Sequence, residues 1–426
     1  MNTPQYGTEL NRRQFLTRAT GTMAGVAALT ALNPLLGLAQ PNQSAGEAPA
    51  APKRKIKIGQ IGLGGRGSWI AGLFARHGGY DYHAVADYFP AVAAEQGSKL
   101  GVPAERCFSG LSGYQQVIAS GVEAIIILDI PYFYPAQARD ALAAGLHIYM
   151  AKPVCVDVPG ALSILASGKR ATQKQRVFLV DYQMPTDPLN IEVTKRIGAG
   201  GIGKLQTIFS NGAAGGGGFN DPPLAATIEN RMQSLIWVND DELGCGYIGN
   251  YDIHVVDAVL RAVGRRPAAA YGWGAQFRPE PHGDALDTTC LMYEFEDGLV
   301  WNHQSPKGTS DDWFESNGSL TAEFQGSEAS ARVAYWGKAF VRGGAQPFGG
   351  GKVENLYEAG ALRNIATFYE AVTQGETSNT SIPHAVDSAL TCILGREAAA
   401  RKTRLTMDQV IKENRKREVN LTGLKS

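Results

Sequence analysis

Charge of one sign in excess is missing from this 426-residue chain: 40 Lys and Arg offset 40 Asp and Glu, for a formal net charge of zero. No basic stripe appears outside the C-terminal tail, so nucleic acid is not an expected partner. Cysteine is scarce. The five residues, Cys107, Cys155, Cys245, Cys290 and Cys392, are scattered and odd in number. Without a C-x-x-C pair or a Cys/His cluster, no zinc or other metal site is expected. A run of about 20 strongly apolar residues, which a membrane-spanning helix needs, is also lacking.

The N-terminus carries an address. Asn11-Arg12-Arg13-Gln14-Phe15-Leu16 reads as a twin-arginine export signal. A weakly apolar stretch over 19–38 follows, rich in Ala, Gly and Thr and containing Pro34. Gly37-Leu38-Ala39 ends it as a small-x-small cleavage pattern. Residues 1–39 are expected to be a signal peptide and 40–53 a flexible Pro/Ala/Ser-rich leader. The export machinery is then a partner and the periplasm the destination; cleavage and anchoring both stay open. Twin-arginine substrates fold before export, in a compartment where disulfides are rare, so free and mostly buried thiols are expected.

A strand, a glycine turn and a helix come next. Residues 55–61 alternate and end apolar. Gly62-Leu63-Gly64-Gly65-Arg66-Gly67 follows at once, and 68–76 reads as a helix. In this context the glycines form a dinucleotide-binding loop. The first permits the tight turn, the second lets backbone approach a pyrophosphate, and the third lets helix pack close to strand. The helix N-terminus offers unpaired N–H groups to phosphate. The next strand, 82–86, leads to Asp87, 20 residues past Gly67. A carboxylate there accepts from ribose hydroxyls and repels a 2′-phosphate, which favours NAD over NADP; Arg66 is a nearby cation that blunts the preference. Residues 122–130 form a nearly continuous apolar run, as a buried parallel strand does, and Pro131 breaks it. A helix over 136–144, a Gly145 cap and a strand over 147–150 follow. Lys152 stands at that strand's end, where doubly wound sheets place ligands. A strand over 176–180 leads into Tyr182 and Gln183, candidate substrate contacts or sheet-end packing.

Farther on, 249–260 reads as a helix that sets Asn250, His254 and Asp257 on one face. Residues 287–296 and 298–305 read as a hairpin about Asp297-Gly298. Trp301, His303 and Ser305 then share a face. Trp301 is a candidate to stack on a ring and His303 to bond its hydroxyls; a wet sheet face or a subunit contact is the alternative. Trp237, Asp240, Asp241 and Tyr247 are expected near the entrance to the helix carrying His254. Residues 215–218, ahead of Phe219-Asn220-Asp221-Pro222-Pro223, are a candidate lid. Helices over 364–374 and 384–401 and a charged stretch over 401–417, read as a solvated helix face, close the chain.

These pieces together resemble the glucose–fructose oxidoreductase/inositol dehydrogenase family (Gfo/Idh/MocA). The likeness covers roughly 54–410. It rests on the glycine loop, Asp87, the strand end up to Pro131, AAGLHIYMAKP over 143–153, AGGIGKL over 199–205, GNYDIHVVD over 249–257 and IPHAVDSALTCILGREAA over 382–399. The resemblance implies a Rossmann domain, here 54–182. An α/β domain with a large, mainly antiparallel open sheet follows, here 183–426, used for substrate and for a homodimer or homotetramer. It adds Ile130, Pro131 and Lys152 to the cofactor contacts, and it implies a sugar or cyclitol between the domains beside Lys152 and His254. Three departures stand out. Ala151 replaces a Glu before the lysine, Asn250 replaces a carboxylate, and Met184-Pro185 replaces arginines that hold substrate.

The expected protein is thus a periplasmic oxidoreductase with tightly bound NAD that acts on a carbohydrate. His254 takes the hydroxyl proton, because an imidazole titrates near neutrality. Lys152 polarises the same oxygen, Asn250 positions the substrate, and Asp257 orients the imidazole or serves structure. Nicotinamide cofactor is scarce outside the cytoplasm, so the trapped cofactor is regenerated at the same site by a second substrate. Two alternatives remain at this point: a redox-neutral, NAD-dependent glycosidase or lyase that oxidises its sugar transiently, and a non-catalytic sugar-binding protein.

Overall fold

The computed structural model describes Pro52 and residues 54–215, 227–278, 283–309 and 319–426. The twin-arginine stretch and most of the candidate lid lie outside the described residues.

Short, largely buried apolar strands build the first sheet. Strands β1 (Ile56–Ile61), β2 (Tyr80–Asp87), β3 (Cys107–Ser109), β4 (Ala124–Ile127), β5 (His147–Ala151) and β6 (Phe178–Asp181) run parallel in the order β3-β2-β1-β4-β5-β6. Helices α1 (Gly65–His77), α2 (Pro90–Lys99), α3 (Gly113–Ala119), α4 (Tyr134–Ala143) and α5 (Val158–Gln173) connect them. In β4, Ala124 and Ile126 enter one core while Ile125 and Ile127 enter another. Both faces are covered, which is why this strand reads as an unbroken apolar run. The strand order reverses between β1 and β4, and the crevice at their carboxyl ends is where such sheets take ligands.

After β6 the chain forms α6 (Pro188–Gly198), then β7 (Leu205–Asn211), β8 (Ala214–Gly215), α7 (Ile228–Gln233), a π-helical turn (Ile248–Asp252) and α8 (Ile253–Val263). Strands β9 (Ala269–Ala275), β10 (Thr288–Glu294), β11 (Val300–Thr309), β12 (Ser319–Gly326), β13 (Ala329–Gly343) and β14 (Phe348–Val353) precede α9 (Leu356–Gln374) and α10 (Ser381–Arg401). A short β15 (Leu405–Thr406) and α11 (Met407–Glu413) follow. Among the described residues the second sheet has nine strands, β14-β13-β12-β7-β11-β10-β9-β15 with β8 beside β11. Its neighbours are antiparallel except β7 and β8 against β11. The expected hairpin is present: Glu294 pairs with Val300, and Gly298 takes φ 85° in the turn, a conformation that costs glycine no Cβ clash. One face packs under α8 and α10. On the open face Phe209, Asn302, Met292 and Tyr271 line up across four strands, and Phe209 and Tyr271 are about half exposed.

Helix α9 returns to the first sheet. Its Ala361, Ile365, Phe368 and Val372 join Ile56, Ile58, Ile70, Phe74, Ile126 and Tyr149 in one core. A division of the chain after residue 182 therefore leaves one face of the parallel sheet to a helix from beyond it. All five cysteines are free, and Cys155, Cys245 and Cys392 are buried.

Phe368 is fully buried in this shared core. Phe368→Ala is expected to destabilise the protein by about 3–5 kcal/mol. Chemical denaturation monitored by circular dichroism should show the loss on the parallel-sheet transition; a loss below 1 kcal/mol, well under that range, would mean that α9 does not support that sheet.

Candidate active site

The glycine loop is pinned from beneath. Gln60, fully buried on β1, donates from Nε2 to the carbonyls of Gly62 (3.0 Å) and Gly67 (2.9 Å) and accepts from the Tyr82 hydroxyl (2.8 Å). Gly62 has φ 84°, and a Cβ there would strike the Leu128 carbonyl; a Cβ on Gly67 would strike the Gly62 carbonyl. Gly64 and Gly65 differ, because a Cβ on either meets nothing within 4 Å. The start of α1 has no side-chain cap and no acidic residue in its first turn. Open backbone at an uncapped helix N-terminus fits a pyrophosphate. Asp87 accepts from the Leu63 amide (2.9 Å) and the Phe89 amide (3.0 Å), while burial pushes its carboxyl upward.

A cavity of about 230 Å³ opens beside the loop at the carboxyl ends of β1, β2 and β4. Ile61, Asp87, Tyr88, Asp129, Gln137 and Leu421 are among its walls. Burial pushes Asp129 up to about 6, although Gln137 Nε2 donates to it at 2.6 Å. Gln137 Oε1 is buried and has no protein partner. An open glycine backbone, a carboxylate at the end of β2 and an unsatisfied amide oxygen together fit a dinucleotide.

Lys152 follows β5 and is half-buried. Its Nζ donates to the backbone carbonyl of Asn250 in the π-helical turn. Burial, reinforced by the Arg66 charge, lowers Lys152 to about 7. His254 opens α8 and is 7% exposed; its Nδ1 has no partner. The ring sits edge-on to Tyr335 at 5.0 Å and Tyr182 at 6.4 Å. Burial first, then the charges of Lys152 and Arg66, hold its pKa well below 6.5. The expected continuous helix over 249–260 is thus broken in phase. An i→i+5 turn over Ile248–Asp252 takes up an extra residue, as such bulges do at many functional sites. The Asn250 amide donates to the Gly244 carbonyl (3.3 Å), and its backbone oxygen meets Lys152.

Other expected contacts are redirected. Arg66 does not face Asp87: it pairs with Asp181 (2.6 Å) and donates to the Tyr357 hydroxyl (2.8 Å). Trp301 and His303 are fully buried. Trp301 stacks on Tyr293 and donates to Ser210 (2.7 Å), while His303 is held between Ser210 (2.8 Å) and Asp252 (3.1 Å). The alternation was right, but that face is the one covered by α8, so neither ring meets a substrate. Tyr182 and Gln183 are each 1% exposed; the former backs His254 and the latter donates to Asp181. Asp257 pairs with Arg261 (2.7 Å) and accepts from Ser388 (3.2 Å), so it does not orient the imidazole. Asp240 is held by Arg231, and the Tyr247 hydroxyl donates to the Gly212 carbonyl. The charged stretch after 401 is no simple solvated face, since Arg401, Arg415 and Arg417 converge on Glu397.

No family model matches the chain. A curated inositol 2-dehydrogenase of Burkholderia ambifaria is 27% identical over 187 residues, 43% of this chain and 54% of its own length. A glycosyl hydrolase family 109 protein of Shewanella pealeana is 26% identical over 194 residues, 43% of this chain and 42% of its own. The chain spans about half the length of the curated relatives it matches. Among solved structures, a levoglucosan dehydrogenase with NADH and levoglucosan aligns with a TM-score of 0.65 at 19% identity, covering 84% of this chain and all of the other. An aldose-aldose oxidoreductase from Caulobacter crescentus aligns with a TM-score of 0.64 at 17% identity, covering 83% of this chain and all of the other. The fold is that of these proteins: a parallel Rossmann sheet followed by a mixed, mainly antiparallel one.

Three residues of the site escape sequence reasoning. Gln60 looks like an ordinary strand residue, although a polar side chain at a core-facing strand position is a signal. Asp129 sits at the end of a buried apolar run, where an acid is out of place. Asp181 ends β6 in the same way.

The glycines separate folding from binding. Gly62→Ala should lower the melting temperature, because it forces a left-handed φ and a backbone clash. Gly64→Ala should melt near the parent but bind NAD about tenfold or more weakly, about 1.4 kcal/mol, by titration of tryptophan fluorescence. Unchanged affinity in Gly64→Ala would remove the loop from the nucleotide site.

Proposed function

We propose that this chain is an exported NAD-dependent oxidoreductase acting on a sugar or cyclitol. One juxtaposition carries the reading: Lys152 at the end of β5 donates to the Asn250 carbonyl, four residues before the buried His254 of α8, and its charge lowers that imidazole, in a sheet whose carboxyl-end crevice is walled by Asp87. Relatives and neighbours named as inositol and levoglucosan dehydrogenases support it, as does the Arg12-Arg13 pattern for the periplasm. The residues proposed to hold the cofactor are the glycine loop, Asp87, Ile130, Pro131 and Lys152. Bound nicotinamide supplies the acceptor or donor of hydride.

The protein's own residues manage the proton. His254 is uncharged at neutral pH, and its depressed pKa makes it a weak base. Lys152, lowered to about 7, is matched to the working pH, which is where acid–base groups are most effective. The two roles expected from sequence therefore exchange: Lys152 Nζ accepts the carbinol proton, and His254 orients the same oxygen by hydrogen bonding. The Asn250 carbonyl aims the lysine. Scarcity of free nicotinamide outside the cytoplasm favours a retained NAD that a second substrate restores. The exposed row of Phe209, Met292 and Tyr271 supports pairing of the open sheet with a second copy.

The likeness to a glycosyl hydrolase family 109 protein favours one rival, redox-neutral cleavage of a glycoside. Paired-sugar assays decide between them. Oxidised and reduced sugars in equal amounts support the oxidoreductase; glycoside cleavage with no net nicotinamide absorbance change supports the rival.

Lys152→Ala should lower kcat by about 10²–10⁴-fold. In carbinol oxidation the unprotonated amine is the active form, so kcat/KM should rise with pH through about 7 and then level. An acid limb centred well below 6.5 would return the proton to His254.

A further inference from the structure

The C-terminal segment after α11 crosses the mouth of the nucleotide crevice. Its burial alternates over 416–421, where Arg417, Val419 and Leu421 are half-buried and Lys416, Glu418 and Asn420 exposed, before a turn closed by the Leu424 amide on the Leu421 carbonyl (3.2 Å). That period is that of a strand with one face against protein. Polar contacts fix both ends. The Arg417 amide donates to Asp157 Oδ2 (2.8 Å), and its guanidinium pairs with Glu397 (3.2 Å). Eight residues on, the Lys425 carbonyl accepts from the Leu111 amide (2.9 Å), and the Lys425 amide donates to the Tyr88 hydroxyl (3.1 Å). Asp157 lies beyond the carboxyl end of β5, and Tyr88 and Leu111 lie beyond those of β2 and β3. The segment thus spans the carboxyl edge of the sheet from one side of the switch point to the other.

Between these anchors the side chains reach the crevice. Leu421 is part of the cavity wall together with Asp87, Tyr88 and Gly110. Val419 and Leu424 pack with Ile130, Met232, Leu243 and Phe133. Ile130 is itself among the proposed cofactor contacts, so the segment leans on the same wall. The Tyr88 hydroxyl donates onward to Glu229 on α7 (3.1 Å), which joins the segment to the second layer of the crevice.

We infer that residues 417–425 are a strap that completes the dinucleotide site and holds the bound nucleotide in place. This rests on the NAD-binding reading above. Leu421 supplies an apolar wall on the Asp87 side of the crevice, and the two anchors must open before nucleotide leaves. Their effect falls mainly on the dissociation rate.

The test uses the full chain, a version ending at Glu418, and the pair substitution Leu421→Ala with Leu424→Ala. Each is desalted and dialysed, and nucleotide released by denaturation is identified by mass. Release of bound NAD is then followed by exchange against excess unlabelled NAD. The parent should retain nucleotide through dialysis. Both variants should lose it, release NAD about tenfold or more faster, and still bind added NAD with near-parental circular dichroism. Release at the parental rate from both variants overturns the strap and leaves NAD binding intact. Failure of the parent to bind NAD at any concentration overturns both.

Discussion

Arg66 leaves the first turn of α1 and reaches Asp181 at the end of β6, and much of the structure is arranged around that contact. Asp181 is fully buried. Besides the guanidinium at 2.6 Å it accepts from Gln183 Nε2 (3.0 Å) and Asn364 Nδ2 (2.8 Å). Arg66 in turn lies over the rings of Trp69 and Tyr357. Breaking a buried pair by removing one partner costs about 3–5 kcal/mol, because the remaining charge has no solvent. The helix that follows the glycine loop, the last parallel strand and α9 are therefore tied together. The same positive charge also reaches Lys152 and His254, adding to what burial already does to both. One ion pair thus joins the nucleotide loop, the core that α9 shares and the electrostatics of the candidate chemistry.

The parallel sheet was legible because its signals are local. The alternation before Gly62, the apolar run before Pro131 and the Gly145 cap each depend on a few neighbouring residues. The hairpin about Asp297-Gly298 was legible for the same reason. What failed depends on which face another element covers. Trp301 and His303 do share a face, as their spacing requires, but a spacing of two does not say whether that face meets water or α8. The buried chain Trp301–Ser210–His303–Asp252 arises from two strands and a π-helical turn far apart in sequence. Likewise, nothing in residues 249–257 announces an i→i+5 turn, since helix-forming residues serve either winding. Arg66 reads as a loop cation near Asp87, whereas in the structure it pairs with Asp181, 115 residues away, a contact that no local pattern announces.

The π-helical turn has a physical rationale in that buried chain. Asp252 ends the turn and accepts from both His303 and Ser305. A carboxylate with no solvent access needs those donors, and they lie on β11. Meeting them fixes the last residue of the turn against the sheet. The first part of the turn then presents the Asn250 carbonyl to Lys152. The sheet positions the lysine indirectly, through the backbone of the element that carries Asn250, and not through a side chain that a motif search would flag.

Retention of a nucleotide is a kinetic demand before it is one of affinity. A protein moved into a compartment poor in free NAD re-equilibrates toward the empty state however tightly it binds, and only slow release delays that. Deep burial of the whole cofactor would slow loading as much as release. A short strap held by three hydrogen bonds to its backbone, two ion pairs and a few apolar side chains opens locally, at a free energy far below global unfolding. Such a strap admits nucleotide where it is abundant and retards its loss where it is not. The proposed export route and the proposed strap answer the same constraint from opposite ends of the chain: one takes the protein away from its cofactor supply, and the other makes that supply unnecessary for the lifetime of the closed state.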